Sequence, residues 1–533
     1  MSSSRTRRST SKRKEDVLPV KSSHSQPKKI KKRPVKDEPK ENFVDVKAET
    51  ESDASDFGDD VEEYRKRIEE NVRQNQEFLR QLGIDQAKQD LLEFKEKPSK
   101  PSQRGLKKEK APVELLPRRS SLRLQNKTPE GIELPPESVI ARAMYSVPAT
   151  DEHPRPHSGP LDMKETLYKT SSEDDHTSIT KQILKDKTYT HKPASEDLQR
   201  YIDRMSKARM SAESVAKVTP ERSFSVAIHP GKSRLLAATG DKWGKLGIWD
   251  VESEESSESD GVVCYCPHSR PICGLEFPVF ATHSVYTCSY DGSLRHGDLN
   301  KGIFDEVYSL PEEDDILLRN FSFTSPNTLL VSQNNGCVAL VDTRTASACA
   351  EHTYELADRS LRTVSVHPTQ KDYFCTAGVG GVVCVWDLRK VSVKKSKAIV
   401  RLEHSGRNLN SAYFSPVTGK YILTTSMDDT LKIFDSSVID SNMKLKKSIA
   451  HNNHTGRWLT GFRASWHPAR EDVFVVGSMN RPREITLFSD EGKRLHSFKD
   501  DTYLGSVCSL NALHPTRDVV VGANSSGRLH VFK

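Results

Sequence analysis

From about residue 214 onward, short apolar runs alternate with small polar turns rich in Gly, Asn and Asp. Apolar runs bounded in this way are typical of β-strands. One motif recurs, an apolar strand that ends in a turn proline. Its seven prolines, spaced by 42 to 52 residues, are Pro230, Pro278, Pro326, Pro368, Pro416, Pro468 and Pro515.

After each proline come a second apolar run, a polar turn and a third strand. The third strands end in LGIWD, LRHGD, VALVD, VCVWD, LKIFD, ITLFS and LHVFK. Seven units of this period, closed by Trp-Asp or a degraded form of it, predict an all-β, seven-bladed WD-repeat β-propeller over residues 214–533. A single blade has two apolar faces, and a ring of seven blades covers nearly all of them.

The last unit contains only three strands, because the sequence ends at Lys533. The segment Ser214–Val218 precedes the first unit, and we expect it to pair with the last unit as its fourth strand. That pairing would close the ring and cover two exposed strand edges at once.

The chain before residue 214 is rich in Lys, Glu, Ser and Pro and poor in aromatic residues, a composition typical of disorder. We therefore expect a long, mostly disordered basic region, made of a tail over residues 1–59 and a linker over residues 96–213. Between them, residues 60–95 lack proline and carry apolar residues at helical spacing, which predicts a short helical segment. This segment either docks on a partner protein or packs on the C-terminal domain.

The positive charge is concentrated near the front of the chain. Residues 1–220 hold 45 Lys and Arg against 38 Asp and Glu, which accounts for the whole net charge of +7. Basic clusters at 5–14 and 28–36 predict a nuclear-import signal or a phosphate-binding arm, the alternative being a solvated tail. A basic island at 115–129 contains Ser120 and Ser121, whose phosphorylation would weaken contacts with phosphates.

All nine cysteines lie at or after Cys264, at irregular spacings within apolar strands, so we expect free thiols in a reducing compartment. Cys264 and Cys266 are too close together for a zinc knuckle and have no matching second pair, so we expect no metal site. No apolar run reaches the roughly 18 residues that span a bilayer, and the N-terminus lacks the apolar core of a secretion signal. We expect a nuclear protein without a membrane segment or a cofactor.

In a propeller of this type, the loops leading into the first strand of each unit share one face with the turns between the second and third strands. Six of the seven leading loops carry arginine, although the residues after 220 are balanced in charge. We predict a DNA-binding face, because arginine binds phosphate oxygens bidentately and an exposed tryptophan can stack on a base. Its candidate residues are Arg222, Lys242, Trp243, Lys245, Arg270, Arg319, Arg359, Arg362, Arg407, Arg457, Trp458, Arg481, Arg483 and Arg528.

An alternative is that these arginines pair with acidic neighbours such as Asp241 and Asp358. A propeller rim can also bind peptides, including basic histone tails. Binding a basic tail would require carboxylates, which a ring of arginines opposes.

Residues 329–344, LLVSQNNGCVALVDTR, match residues 374–389, FCTAGVGGVVCVWDLR, position for position. Both stretches end in Asp-x-Arg, formed by Asp342 with Arg344 and by Asp387 with Arg389. The two corners follow the third strands of neighbouring blades, on the face opposite the predicted DNA-binding face. Either each arginine stabilises its own turn through a local ion pair, or the two corners together form a docking site.

Paired corners of this kind resemble the box of WD-repeat substrate receptors of cullin-4 ubiquitin ligases. The resemblance implies that Arg344 and Arg389 contact the ligase adaptor, damage-binding protein 1. The strings CSYDGSLRHGDL, FDEVY and AATGDKWGKLGIWD resemble the WD repeat-containing protein 76 family, whose fungal members are called Cmr1. This second resemblance covers the propeller and, more weakly, the island RRSSLRLQNK, and it implies a nuclear, chromatin-associated DNA-binding protein of the DNA-damage response.

The string ASWHP is more distantly similar to an anchor in the small subunit of the UV-damaged-DNA-binding complex. In that protein a loop ahead of the anchor inserts a Phe-Gln-His hairpin into damaged DNA. The matching positions here are Gly456, Arg457 and Trp458. The hairpin residues are therefore absent, but Trp458 could still act as a stacking wedge.

The sequence thus predicts a DNA-binding protein, a cullin-4 substrate receptor, or both, since the two activities use opposite faces. A chromatin scaffold with neither activity is a third hypothesis. We expect no enzyme, because the chain has no glycine-rich phosphate loop and no nucleophile beside a base at a recognisable spacing. Several histidines lie at repeat positions typical of turns, namely His229, His367, His467 and His514.

Overall fold

The chain folds into seven antiparallel sheets of at least four strands each, arranged as the blades of a propeller, and this confirms the predicted fold. The computed structural model describes Arg73 and residues 154–168, 173–185, 193–253, 260–345, 348–394, 396–404 and 406–533. The predicted tail 1–59, the basic island 115–129 and, apart from Arg73, the predicted helical segment 60–95 lie outside the described residues.

Two strands precede the first blade, β1 (Leu161–Asp162) and β2 (Val215–Lys217). The first three blades follow in chain order. Their strands are β3 (Ser223–Ile228), β4 (Leu236–Asp241), β5 (Leu246–Asp250) and β6 (Val262–Tyr265); β7 (Ile272–Glu276), β8 (Ser284–Ser289), β9 (Ser293–Asp298) and β10 (Ile303–Ser309); and β11 (Leu318–Ser325), β12 (Thr328–Gln333), β13 (Cys337–Asp342) and β14 (His352–Glu355).

Blades 4 to 7 continue the pattern, and the last contributes three strands of its own. Their strands are β15 (Leu361–Val366), β16 (Tyr373–Gly378), β17 (Val382–Asp387) and β18 (Val400–Glu403); β19 (Leu409–Phe414), β20 (Tyr421–Ser426), β21 (Thr430–Asp435) and β22 (Leu445–Ala450); β23 (Ser465–Trp466), β24 (Val473–Gly477), β25 (Ile485–Ser489) and β26 (Arg494–Phe498); and β27 (Cys508–Leu513), β28 (Val520–Asn524) and β29 (Arg528–Phe532).

Strand β2 completes the seventh blade by pairing antiparallel with β29, with Val215 opposite His530 and Lys217 opposite Arg528. The backbone N–H of Val218 extends the pairing by donating a 3.0 Å hydrogen bond to the carbonyl of Gly527. The prediction that Ser214–Val218 closes the ring is therefore confirmed. Closure leaves β27 packed beside β3, so that first and last blades bury each other's apolar faces.

The histidine of each His-Pro anchor holds the turn between the inner strand and the second strand. Its imidazole Nδ1 lies within hydrogen-bond distance of a backbone N–H two or three residues further on, and burial lowers the pKa of His514 to about 4, which favours the neutral acceptor. The predicted role of these histidines in turns is confirmed. The pairs are His229 with Gly231 (3.1 Å), His367 with Gln370 (3.0 Å), His467 with Ala469 (3.0 Å) and His514 with Arg517 (2.9 Å).

The described residues between 154 and 213 differ from the disordered linker that their composition predicts. Strand β1 adds a fifth strand to the second blade by pairing with β10. Two helices, α1 (Glu173–Lys185) and α2 (Leu198–Met205), pack on the propeller through Ile179, Ile183, Tyr201 and Met205, all of them buried. The prediction of disorder does not hold here, because a few well-placed apolar side chains suffice when a surface is ready to receive them.

A buried arginine fixes the start of this ordered segment to the second blade. The guanidinium of Arg295 forms a 3.1 Å ion pair with Glu306, and both side chains are almost fully buried. It also donates hydrogen bonds to the carbonyls of His157 (2.9 Å) and Gly159 (2.8 Å). One cation therefore connects a strand pair of the propeller to residues that precede it by more than a hundred positions.

All nine cysteines are free thiols, as the sequence predicts, and five of them are buried while Cys349 is exposed. Within the described residues, no group of three or more His, Cys, Asp and Glu side chains is placed to hold a metal ion. Over the same part of the chain, no helix combines the length and the apolarity needed to cross a membrane.

We expect Arg295→Met to lower the free energy of unfolding by about 3–5 kcal/mol, because the change leaves Glu306 buried without its partner. Denaturant unfolding measures the loss, and limited proteolysis should show earlier cleavage before residue 161. Replacing both residues, as Arg295→Met with Glu306→Leu, should recover much of the stability.

The matched control is Lys301→Met, which removes an exposed ammonium from its ion pair with the buried Asp298 in the same blade. Asp298 keeps the hydrogen bonds from the backbone N–H groups of Asn300 and Lys301, so we expect a loss of only about 0–1 kcal/mol. Equal stability of Arg295→Met and Lys301→Met would show that the buried pair does not anchor the segment.

Candidate nucleic-acid interface

The loops leading into each inner strand and the turns between second and third strands lie on one face, here called the upper face. In blades 3 and 4, the backbone N–H groups of Leu356 and Ala357 donate to the carbonyl of Gly336 at 3.2 and 3.1 Å. Gly336 has φ +90°, and a Cβ there would lie 1.8 Å from the Ala357 carbonyl oxygen, so only glycine fits. This close contact places a leading loop against the neighbouring turn.

The predicted basic residues reach the upper face to different degrees. Five arginines are exposed there and can meet a ligand, namely Arg359, Arg407, Arg457, Arg481 and Arg528. A second group is half-buried, namely Arg222, Lys242, Trp243, Arg270, Arg362 and Arg483. The remaining two, Lys245 and Arg319, are buried.

Their positions ahead of the prolines predict that all the arginines of this set lie in loops, but two of them lie in strands. Arg319 and Arg362 are the second residues of β11 and β15, and both point away from the regular strand pairing because the ladder shifts register there. Lys245 also differs, since its ammonium lies 4.5 Å from the centroid of the Tyr168 ring. These three side chains pack more closely against the blades than the five exposed arginines do.

The acidic neighbour Asp241 does not neutralise the face. Its carboxylate accepts the backbone N–H groups of Trp243 (2.8 Å) and Lys245 (2.9 Å) and so shapes the turn between β4 and β5. Burial raises the pKa of Asp241 to about 6. At the tip of this turn, the Lys242 ammonium lies 4.4 Å from the centroid of the Trp243 ring.

Some of the basic side chains do have acidic or backbone partners. Arg270 lies 3.5 Å from a carboxylate oxygen of Asp315, which reduces its value as a phosphate ligand. Arg483 donates a 2.9 Å hydrogen bond to the carbonyl of Met479. Burial and the nearby charge of Arg481 lower the pKa of Arg483.

The leading loop of blade 6, residues 451–464, crosses the mouth of the central channel. Arg222 in blade 1 donates to the carbonyl of Arg457 (2.9 Å), and the Thr460 hydroxyl donates to the carbonyl of Ser223 (2.6 Å). The loop can reach blade 1 because the inner strand of blade 6 is only two residues long. Blade 7 lies between blades 6 and 1 in the ring, so the loop reaches past a whole blade to make these contacts.

Trp458 stands at the crest of this loop. Its side chain is 73% exposed, whereas Trp249, Trp386 and Trp466 are buried. The Arg457 guanidinium lies 4.7 Å from the centroid of the Trp458 ring. An exposed aromatic face next to a cation, held over a channel mouth, is suited to stack on a base while a phosphate is bound beside it.

The two Asp-x-Arg corners lie after β13 and β17, on the opposite, lower face. The Arg344 guanidinium donates to the Asp342 carboxylate through Nε at 2.9 Å and through Nη2 at 2.5 Å. These hydrogen bonds lower the pKa of Asp342 to about 2. Arg389 binds Asp387 in the same way, at 2.9 and 3.0 Å. The arginine side chains nevertheless remain 69% and 57% exposed. The local ion pair and an exposed guanidinium are therefore present together.

Comparison with known proteins relates most of the chain to WD-repeat proteins of one kind. WD repeat-containing protein 76 of Xenopus laevis is 42% identical over 482 residues, which cover 89% of this chain and 80% of the relative. The chain belongs to the WD repeat-containing protein 76 family. The family's protein from Mus musculus is 34% identical over 92% of this chain and 77% of its own length.

Fungal relatives carry a different name. A protein of Phaeosphaeria nodorum named DNA damage-binding protein CMR1 is 29% identical over 88% of this chain and 98% of its own length. No family model matches the chain.

In this member of the WD repeat-containing protein 76 family, sequence reasoning missed the path of the blade 6 loop and the role of Arg463. Arg463 ends the loop, forms an isolated bridge with Leu510 of blade 7 and donates a 3.0 Å hydrogen bond to the carbonyl of Cys273 in blade 2. The interval of 52 residues before Pro468, the longest in the series, was the available signal for an extended loop. The direction in which the loop turns is a tertiary property.

We expect Trp458→Phe to remove most of the tryptophan fluorescence that acrylamide can quench, because three of the other four tryptophans are buried. Stern–Volmer titration of the parent and variant measures the change. Trp243→Phe is the matched control, since Trp243 is half-buried beside Lys242. If the quenching constant of Trp458→Phe equals that of the parent, the crest of the loop is not exposed in solution.

Proposed function

We propose that this protein is a nuclear DNA-binding protein of the DNA-damage response, which binds DNA through the upper face of its propeller. The observation that carries the proposal is Trp458, exposed at the channel mouth with Arg457 stacked beside it. The exposed arginines Arg359, Arg407 and Arg481 extend the same face around the mouth.

The physical argument rests on two kinds of contact. Arginine forks bind phosphate oxygens and release the counterions of the backbone, which supplies affinity without reading sequence. An exposed indole stacks on any unpaired base, and damaged or open DNA offers such a base at a lower cost than an intact duplex. The two contacts together favour DNA in which stacking is interrupted.

The names of the fungal relatives support the same function, since they are called DNA damage-binding proteins. The basic clusters at 5–14 and 28–36 favour nuclear import and can add weak contacts with the DNA backbone. In this proposal the propeller binds rather than catalyses, because the contacts on the upper face are made by cations and an indole.

We expect the logarithm of DNA affinity to fall against the logarithm of salt concentration with a slope of about −4 to −5, if five exposed arginines each contact a phosphate. Fluorescence anisotropy with intact duplex, single-stranded DNA and duplex with unpaired bases measures it. Arg407→Ala should make the slope shallower by about 0.9. Trp458→Ala should leave the slope unchanged and weaken binding to unpaired bases by about 5- to 150-fold, the loss of one stacking contact.

Arg344→Ala, on the lower face, is the control that should leave DNA binding unaltered. A salt slope near zero in the full chain would remove the proposal. Equal losses for duplex and unpaired DNA in Trp458→Ala would keep the DNA-binding face but exclude a stacking role for the tryptophan.

A second function is favoured by the lower face, namely a substrate receptor that docks the adaptor of a cullin-4 ubiquitin ligase. Its support is the pair of similar corners on adjacent blades, in each of which a carboxylate fixes the direction of an exposed guanidinium. A preoriented arginine loses less entropy on binding than a free one. This function is compatible with DNA binding, since it uses the other face.

We expect the double change Arg344→Ala with Arg389→Ala to abolish co-purification of damage-binding protein 1 while DNA affinity stays at the parent value. Lys390→Ala is the matched control, because Lys390 adjoins Arg389 and is 76% exposed. Undiminished recovery of the adaptor with the double variant would show that the corners only stabilise their own turns.

A further inference from the structure

A layer of irregular backbone surrounds the upper part of the central channel. In six of the seven inner strands, the pairing with the second strand shifts register just after the first residue. Such a bulge leaves one residue outside the ladder and redirects its side chain. The six residues are Phe224, Cys273, Arg319, Arg362, Asn410 and Ser509.

Among the described residues, blade 6 has no bulge of this kind, and the loop that precedes its inner strand supplies the remaining position of the layer. The inner strand of that blade starts late, at Ser465, and Arg463 precedes it. The bridge between Arg463 and Leu510 sets Arg463 beside the bulge of blade 7. The bulge residues and Arg463, here called the bulge layer, thus include three arginines and no acidic residue.

Direct contacts join the members of the bulge layer around the channel. Arg362 donates a 2.8 Å hydrogen bond to the side-chain oxygen of Asn410. Gly461, two residues before Arg463, is packed on the same asparagine, since a Cβ there would lie 2.9 Å from its Nδ2. Arg362 and the end of the blade 6 loop therefore meet at Asn410.

The other side of the layer is connected through blade 2. The Cys273 thiol lies 3.0 Å from the carbonyl of Leu318, the residue before Arg319, while the Cys273 carbonyl accepts the 3.0 Å hydrogen bond from Arg463. The Arg319 guanidinium lies 4.4 Å from the centroid of the Tyr290 ring. Arg319 and Arg463 thus approach one cysteine from two directions.

The electrostatic effect of this arrangement is visible in the neighbouring groups. Burial raises the pKa of Cys273, but its hydrogen bond with Cys288 and the charges of Arg319 and Arg463 outweigh burial, so the pKa lies below its usual value. Burial raises the pKa of Tyr290, and the charges of Arg319, Arg463 and Arg362 oppose the rise. All three guanidiniums therefore act on the same small volume.

We propose that the bulge layer binds a small oxyanion of the phosphate class between Arg319, Arg362 and Arg463. Guanidinium groups bind such oxygens with paired N–H donors, and these three side chains bring positive charge from three blades to one small volume. Arg362 and Arg463 are half-buried, so solvent and a small ion can reach them.

The ligand is a free anion rather than a segment of DNA. The blade 6 loop covers the upper mouth through the contacts of Arg457 with Arg222 and of Thr460 with Ser223. A duplex on the upper face is kept from the layer by this loop. The site is therefore separate from the proposed DNA-binding face and does not depend on it.

Isothermal titration of the full chain with pyrophosphate, in a chloride buffer, tests the proposal. We expect saturable binding of one ion per chain and a rise in Tm with pyrophosphate that equal ionic strength of chloride does not give. Arg463→Met should weaken the affinity at least tenfold, and Arg463→Lys should weaken it less because it keeps the charge. Arg200→Met is the matched control, since Arg200 is exposed on α2 outside the channel, and it should bind as the parent does.

Arg362→Met provides a second test that does not alter the blade 6 loop, in case Arg463→Met fails to fold. Absence of saturable binding in the parent protein, or parent-like affinity in both methionine variants, would overturn the proposal. Displacement of pyrophosphate by a DNA duplex at its ordinary binding concentration would show instead that the layer belongs to the DNA-binding face. Failure of the protein to bind DNA at all would leave the pyrophosphate result unchanged.

Discussion

The pairing of β2 with β29 is the constraint on which the rest of this molecule depends. Every blade of a propeller buries its two apolar faces against its neighbours. If one blade is incomplete, the adjoining blades lose that cover and the ring is no longer closed. The seventh blade takes its outer strand from residues that lie before the first blade. The positions of the loops on both faces rely on that closure, because the loops are held in place only when the ring is complete.

Closure also explains why the described residues just before the propeller are ordered. The chain must arrive at the outer edge of blade 7 to provide β2, and α2 precedes it there, packed against blades 6 and 7. Further upstream, α1 and β1 cover the outer strands of blades 1 and 2. The described residues from 154 to 213 thus follow the outside of the ring, and the Arg295 ion pair secures their beginning.

The repeated architecture was predictable because each unit repeats the same short sequence patterns. The apolar runs, the turn prolines and the Asp at the end of β5, β9, β13, β17 and β21 recur at a nearly constant period, and a period of this size has few structural solutions. The presence of arginines on the upper face and the two corners on the lower face follow from the same topology. Residues whose neighbours are set by the strand order could therefore be assigned to a face from sequence.

Other features depend on contacts between distant residues and leave no local pattern. Arg319 and Arg362 resemble loop residues in sequence, but a register shift places them in the channel wall. The helices α1 and α2 lie in a stretch of polar composition, and only the apolar surface of the blades makes them stable. The partial neutralisation of Arg270 by Asp315 likewise arises between two separate loops.

The short inner strand of blade 6 has a consequence for how the propeller responds to a bound molecule. The loop before it belongs to blade 6 and also contacts blades 1, 2, 5 and 7, so a displacement of its crest would be transmitted to strands on the far side of the channel. The loop therefore links five sheets mechanically, and a molecule bound to the Trp458 indole would act on all of them together.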